Sequence, residues 1–346
     1  MKTQAETLLV CCPNWVGDVV MATPALDCLR QNFPDARLIG VIRNYVRAVV
    51  QDGPWFDHIV GCDDKTTKGF WRLVKAIRCL DPDVAIVLPN SMRSALSTRL
   101  GGVNRIYGYL RNHRSLLLTG GPEPMRSGNG IVPVPMVDYY MEICRWLKLT
   151  LPQKVRPSLF LSHALQEKGN ALLASYGIEP GDMVVGLNPG AKFGSSKCWP
   201  PEYFAKLAEL FSQKWDCKIL LFAGPGEDGI ARSIIQASKA PIINTAPDRV
   251  DLALLKPLVK RCALLVTNDT GPRHYAVAFD TPVVVLMGPT DPRYTAANLE
   301  KTLVLRKELD CSPCHQKRCP RNHECMRMIY PEAVFRGSEN LMRDLL

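Results

Sequence analysis

Apolar positions fall along this chain in two alternating rhythms. Short unbroken runs, "TLLVCC" at 7–12, "ARLIGVI" at 36–42 and "VAIVLP" at 84–89, read as strands buried on both faces. Between them lie stretches with apolar residues at three- and four-residue steps, at 19–32 and in "FWRLVKAIRCL" at 70–80, which read as helices packed on one side. A short helix, "SALSTRLGG", ends on glycines, and "RIYGY" follows as a strand. The rhythm breaks over 115–135, where "GGPEPMRSGNG" and "VPVP" are turn and loop chemistry. "MVDYYMEICRWL" is then helical, and "TLPQKVRPSLFLS" reads as a linker.

A second series follows. "MVVGLNPG", "CKILLFAG", "PIINTA", "ALLVTND" and "PVVVLMG" are strands, separated by helices at 201–214, 230–238, 251–262 and 272–280. Alternation of this kind predicts an α/β protein with two Rossmann-like domains, their parallel sheets facing across a cleft. The expected boundaries are an N-terminal domain over 1–170, a C-terminal domain over 171–330 and a terminal helix over 331–346. Ligands of open α/β sheets bind outside the carboxyl ends of the strands, so the strand-end loops are where chemistry is expected.

Composition narrows this only slightly. With 346 residues, 47% hydrophobic and 22% charged, the chain is long enough for two ordinary globular cores. No apolar run approaches the roughly 18 residues of a membrane span, and "MKTQAETLLVCCPNW" lacks the apolar stretch of an export signal, so a cytoplasmic protein is expected. The net charge of +10 and pI near 9.0 favour an anionic partner. Aromatics are not interleaved with Lys and Arg as stacking on bases would require, and no nucleic-acid partner is expected. Most of the 13 cysteines sit singly in apolar segments and read as small buried hydrophobes.

Four stretches carry candidate chemistry. "NWVGDVVMATPAL" puts Asp18 behind Gly17 at the end of the first strand; the plain alternative is an N-cap for a helix starting at Val19. Asp269, Thr270 and Gly271 close a strand and open a helix bearing His274; a helix N-terminus binds phosphate, although Asp or Thr there also serves as a simple cap. "GLNPGAKFGSSKCWP" is a strand running into a flexible loop with Lys192 and Lys197, cations suited to a diphosphate leaving group. "GPGEDG" at 224–229 matches the dinucleotide fingerprint, with Asp248 downstream, but it opens the second strand of its half and carries Pro225. Glu227 in it is instead a candidate ribose-hydroxyl acceptor. Separately, "CSPCHQKRCPRNHEC" spaces Cys311, Cys314, Cys319 and Cys325 as C-x2-C-x4-C-x5-C, a candidate structural Zn²⁺ set, or else four reduced thiols or a disulfide pair in a loop.

Taken together, "NWVGDVVMATPAL", "VLPNSMRSAL", "PGAKFGSSKCWP", "NDTGPRHYAVA" and "GPTDPRYT" resemble the lipopolysaccharide heptosyltransferases, enzymes of the GT-B fold. The resemblance runs from about residue 8 to residue 296, and "LPNS..SAL" inclines it to the type II step over type I. It implies an inverting transfer of L-glycero-D-manno-heptose from ADP-heptose to the first heptose of the Kdo–lipid A inner core. It implies no metal in the chemistry, and work at the cytoplasmic face of the inner membrane. It implies Asp18 as the general base; Lys197 at the diphosphate, with Lys192 on the same loop; Asp269 at heptose hydroxyls; Thr270 and Gly271 at phosphate, with His274 close by; Glu227 at ribose; and Asn90 and Ser91 on the acceptor side. The acceptor is acidic, so Arg93, Arg99, Arg105, Arg111 and Arg114 are candidates for binding it or an anionic membrane surface. The competing readings are a heptosyltransferase of another acceptor step (I or III), an NAD-dependent oxidoreductase using Gly224–Gly229, and a non-catalytic sugar-nucleotide or lipid A binding protein.

Overall fold

The structure, a computed structural model, describes residues 5–128 and 130–345. Its strands are β1 (Thr7–Cys11), β2 (Arg37–Arg43), β3 (His58–Cys62), β4 (Val84–Val87), β5 (Arg105–Tyr107), β6 (Arg126–Ser127), β7 (Gly130–Ile131), β8 (Val184–Asn188), β9 (Lys218–Leu221), β10 (Ile242–Asn244), β11 (Leu264–Asn268), β12 (Val283–Met287) and β13 (Thr302–Arg306). Its α-helices are α1 (Val16–Asn32), α2 (Arg47–Val50), α3 (Thr67–Leu80), α4 (Met92–Leu100), α5 (Met136–Trp146), α6 (His163–Ser175), α7 (Pro201–Lys214), α8 (Asp228–Ala237), α9 (Leu255–Arg261), α10 (Gly271–Ala278), α11 (Glu324–Arg327) and α12 (Pro331–Asp344). None of them is long and apolar enough to cross a membrane.

The chain divides into two compact units between Phe160 and Leu161, earlier than the expected boundary at 170; Arg293–Ala297 also belongs to the first unit. Unit 1 holds a parallel sheet in the order β3-β2-β1-β4-β5. Unit 2 holds a parallel sheet in the order β10-β9-β8-β11-β12-β13. Counted from its own first strand, each unit runs 3-2-1-4-5, the doubly wound Rossmann order, and unit 2 adds a sixth strand. The central strands are apolar throughout because helices cover both faces: every residue of β4, β8, β11 and β12 is buried. α12 packs on α7 and β13, within unit 2.

In each sheet the strand order reverses at one point, between β1 and β4 in unit 1 and between β8 and β11 in unit 2. Crossovers leave these two neighbours toward opposite faces, which opens a crevice at their carboxyl ends. The segments that follow those four strands are the ones carrying Asp18, Asn90, Lys197 and Asp269.

α1 starts at Val16, so the expected helix over 19–32 gains a turn and Asp18 lies inside the first turn. Trp15 is the N-cap residue, which excludes the capping role for Asp18. α1 also passes through Pro24, which has no N–H to give the Val20 carbonyl. The Thr23 hydroxyl donates to that carbonyl at 2.8 Å and supplies the missing bond. α6 begins directly after the linker stretch, in a segment the pattern left unassigned, with the Ser162 side chain accepting from the Leu165 N–H at its start.

Candidate functional site

In unit 1, the Asp18 carboxylate sits half-buried where the dipole of α1 favours negative charge. Its Oδ1 accepts a hydrogen bond of 3.0 Å from the phenol of Tyr140, on α5. Burial, and after it the Asp18 charge, push the Tyr140 hydroxyl well above the usual phenol range, so the phenol is a donor at every physiological pH. Asn90 follows β4. Its Oδ1 accepts from the Tyr139 hydroxyl at 3.0 Å and from Arg114 Nη2 at 3.3 Å, and its backbone carbonyl accepts from Asn112 Nδ2 at 2.8 Å. Ser91 is the N-cap of α4, its hydroxyl accepting from the Ser94 N–H at 3.1 Å.

The arginines of this unit are tied to its own loops to different degrees. Arg93 lies with its guanidinium 4.7 Å above the Phe70 ring, donates to the Thr66 carbonyl at 2.9 Å and comes within 3.9 Å of Asp64. Arg99 donates to the carbonyls of Val103, Asn104 and Leu117 at 3.0–3.2 Å. Arg114 is fully buried and donates to the carbonyls of Tyr109 and Pro89 as well as to Asn90; its desolvation brings it down to about 10. Arg111 reaches the Tyr139 hydroxyl at 3.5 Å. The physical reason is local: loops around β4 and β5 turn carbonyls inward, and a guanidinium with five donors satisfies several at once. Arg93, Arg99 and Arg114 are therefore ties within the unit, and Arg114 orients the candidate Asn90.

In unit 2, Asp269 follows β11 and is 6% exposed. Its Oδ2 takes a hydrogen bond from Lys197 Nζ at 2.8 Å and one from the Thr290 hydroxyl at 2.6 Å, while Oδ1 meets Arg273 Nη1 at 2.8 Å. Lys197 Nζ also donates to the Asp269 carbonyl at 2.8 Å. Burial by itself would raise this carboxyl, but Arg273 and then Lys197 outweigh it and hold it well below the usual carboxylate range. His274 is buried behind the same cluster. Desolvation, then the Arg273 charge, press its imidazole down to about 3, so it is neutral at physiological pH.

Lys197 and Asp269, assigned separate ligands by the sequence, are thus one ion pair, and Arg273 and Thr290 complete it. Arg273 carries a local signal, an Asp–Arg spacing of i,i+4 across the helix start. Thr290 carries none. The Thr270 hydroxyl makes no capping bond to α10, so it and the first-turn amide of Gly271 are not explained by capping. The loop before Lys197 is tied to the same strand end: Asn268 Nδ2 donates to the Pro189 carbonyl at 2.6 Å, and Asn268 Oδ1 accepts from the Trp199 N–H at 3.0 Å. Lys192 lies exposed on this loop.

Glu227 precedes α8, and its Oε2 accepts from the Gly224 N–H at 2.8 Å. A side chain at Gly190 would overlap that carboxylate, so Glu227 closes against the base of the Lys192–Lys197 loop. This disposes of "GPGEDG" as a dinucleotide site. The glycine amide that would meet a pyrophosphate is bonded to a carboxylate, which would repel one. Asp248, the expected ribose acid of that reading, instead accepts from the Tyr176 hydroxyl at 2.6 Å.

Cys311, Cys314, Cys319 and Cys325 all line one small cavity of about 50 Å³, together with Ser196, Pro289 and His323. Burial pushes the Cys325 thiol up to about 11, and the other three cysteines add to the effect. Among the described residues, no group of three or more His, Cys, Asp or Glu side chains is already arranged to hold a metal ion. The segment does back the donor-side loops. His323 Nε2 meets the Ser196 carbonyl at 2.6 Å, the Ser196 N–H donates to the Lys317 carbonyl at 3.2 Å, and the Ser312 hydroxyl donates to the Gly288 carbonyl at 2.7 Å.

Comparison with known proteins agrees with this geometry. Residues 70–324 match the model of glycosyltransferase family 9 (heptosyltransferase). The chain is 29% identical to lipooligosaccharide heptosyltransferase 2 of Campylobacter jejuni, over 96% of this chain and 97% of that one. Its fold matches the Escherichia coli ADP-heptose LPS heptosyltransferase II structure with a TM-score of 0.79 at 24% identity, covering 98% and 99% of the two chains. It also matches a glycosyltransferase family 9 structure from Veillonella parvula with a TM-score of 0.84 at 22% identity, covering 99% of each. The chain belongs to glycosyltransferase family 9, the heptosyltransferases, and has their GT-B fold of two Rossmann-like units.

Proposed function

We propose that this glycosyltransferase moves L-glycero-D-manno-heptose from ADP-heptose to the first heptose of the Kdo–lipid A inner core, with inversion at the anomeric carbon. The observation that carries the reading is Asp18: a carboxylate at the β1/β4 switch point, its Oδ1 held by the Tyr140 phenol. A carboxylate at that strand end can take the proton of the acceptor hydroxyl as its oxygen attacks. The choice of donor and of the second acceptor step is supported by the printed names of the relatives, which are heptosyltransferases 2 from several bacteria.

On the donor side, the first turn of α10, Lys197 and Arg273 surround the Asp269 strand end with positive potential, and Lys192 lies exposed on the Lys197 loop. A diphosphate leaving group gains its negative charge there, where fixed cations and backbone amides meet it without a metal ion. Asp269 holds Lys197 and Arg273 in place, Glu227 binds ribose from the base of the loop, and neutral His274 supports the cluster from behind. Asn90 and Ser91 line the acceptor side. The cysteine segment stands outside this chemistry; a Zn²⁺ ion in it would stiffen the Ser196 end of the donor loop. A basic chain acting on a lipid-anchored acidic acceptor works from the cytoplasmic side, peripheral to the inner membrane.

The test is ADP release from ADP-heptose with defined acceptors, with and without Asp18→Asn. Release only with an acceptor that already carries one heptose, lost in the variant, is expected. Release with unheptosylated Kdo–lipid A would reassign the step, and turnover by Asp18→Asn would overturn the base.

A further inference from the structure

Two consecutive residues of α5 touch both candidate groups of unit 1. Tyr140 donates to Asp18 Oδ1 at 3.0 Å, and Tyr139 donates to Asn90 Oδ1 at 3.0 Å. Neighbours on an α-helix point about 100° apart, so one helix can address the segment after β1 and the segment after β4 at once. The two rings stand edge to face, with centroids 5.8 Å apart at 82°. Tyr139 in turn stacks flat on Tyr109, centroids 3.8 Å apart at 4°, and the Tyr109 hydroxyl donates to the Tyr139 carbonyl at 2.9 Å. Both site tyrosines are buried, so neither ring turns without disturbing the packing of α5 on α1.

We propose that Tyr140 and Tyr139 are positioning residues, Tyr140 holding the Asp18 carboxylate and Tyr139 the Asn90 amide, so that α5 sets the base and the acceptor-side amide in a single frame. Neither phenol takes part in bond making. The proton leaving the acceptor oxygen goes to Asp18; the Tyr140 proton stays on the phenol. Three consequences follow from the chemistry of the two contacts. A donor to Oδ1 fixes the rotation of the carboxylate, which sets the angle at which it can receive a proton. A hydrogen bond to the charged form stabilises the carboxylate, so the base is ionised down to lower pH than it would be without the phenol. With its oxygen turned to Tyr139 and Arg114, the Asn90 amide presents its NH₂ on the opposite side, as a donor for a sugar hydroxyl.

This inference rests on the reading of Asp18 as base, and the experiment separates the two. Tyr140→Phe, Tyr139→Phe, Asp18→Asn and the control Tyr109→Phe are compared by steady-state kinetics across pH and by thermal melting. Tyr109→Phe removes a buried hydroxyl from the same aromatic cluster without touching Asp18 or Asn90. For Tyr140→Phe the expected result is a kcat lower by about tenfold or more, the size of a lost hydrogen bond to a charged group. Its donor KM is unchanged, and the acidic limb of kcat/KM moves to higher pH. For Tyr139→Phe the expected result is a rise in acceptor KM with the pH profile unmoved. Tyr109→Phe is expected to lower the melting temperature alone. If Tyr140→Phe and Tyr109→Phe lower kcat alike, with no movement of the acidic limb, the tyrosines are packing only and the inference falls while Asp18 stands. If Asp18→Asn keeps its turnover, the base itself is wrong.

Discussion

Two aspartates, one after the first strand of unit 1 and one after the fourth strand of unit 2, flank their units' switch points and are held in different ways. Asp18 and Asp269 both follow a strand at a switch point and precede or open a helix. Asp18 is half-buried and is held by a neutral phenol. Asp269 is buried between Lys197 and Arg273, which drive it well below the usual carboxylate range. A carboxylate clamped by two cations is too acidic to accept a proton from a sugar hydroxyl. On the proposed reading, one strand end carries the proton acceptor and the other an electrostatic anchor. The difference lies in the partners, not in the aspartates.

The comparison can be broken most sharply at Asp18. Asp18→Asn is expected to lower kcat by about 10²–10⁴-fold, the usual worth of a general base, with folding intact, as read by ADP release and circular dichroism. Asp269→Asn should do the reverse. Removing one partner of a buried charge cluster costs about 3–5 kcal/mol of stability, seen as a lower denaturant midpoint for unit 2, together with lost ADP binding. A variant that melted normally would show that Lys197 and Arg273 do not need their anion. Gly190→Ala drives a methyl group into the Glu227 carboxylate and should raise the donor KM by about tenfold, with acceptor KM unchanged, if Glu227 serves the donor.

Acid gives a smaller and graded effect, confined to unit 2. His274 takes a proton at about 3 in the folded state but near 6.5 once unfolded, and the folded pKa of Asp269 lies below its unfolded value near 4. Both groups bind more protons when unfolded, so their stabilisation is complete above about pH 6.5 and is lost progressively as pH falls toward 3. Thermal melts between pH 7 and pH 4 check the direction. The smallest effect is expected from a chelator. Turnover should be unchanged in EDTA if, as proposed, Lys197, Arg273 and the α10 amides supply the positive charge. Metal analysis of the same sample decides whether Cys311, Cys314, Cys319 and Cys325 hold an ion.

Legibility in the sequence tracked burial and locality. The strands around each switch point, β1, β4, β8, β11 and β12, are continuous apolar runs bounded by polar loops, and those runs are visible without coordinates. β3 and β13 are edge strands whose residues are mostly half-exposed, so their composition does not announce them. α6, directly after the linker stretch, was not announced because it buries only Gly169 and Leu173. The contacts of the arginines were illegible for a related reason. A row of basic residues near an expected anion site looks like a ligand-binding field, but whether a guanidinium meets solvent or an inward carbonyl is decided by how the loops close around it.

The chain's own pattern determined the two α/β halves, the order of their elements and the presence of Asp18, Lys197, Glu227 and Asp269 at strand ends. Those follow from periodicity and turn chemistry, which act over a few residues. Tertiary structure alone decided what each charge does. Lys197 meets Asp269 from 72 positions away, Tyr140 reaches Asp18 from 122, and Tyr139 reaches Asn90 from 49. Contacts between distant positions leave no periodic mark on either segment. Only the packed chain shows that Asp269 lies between two cations and that Asp18 receives a hydrogen bond from a phenol.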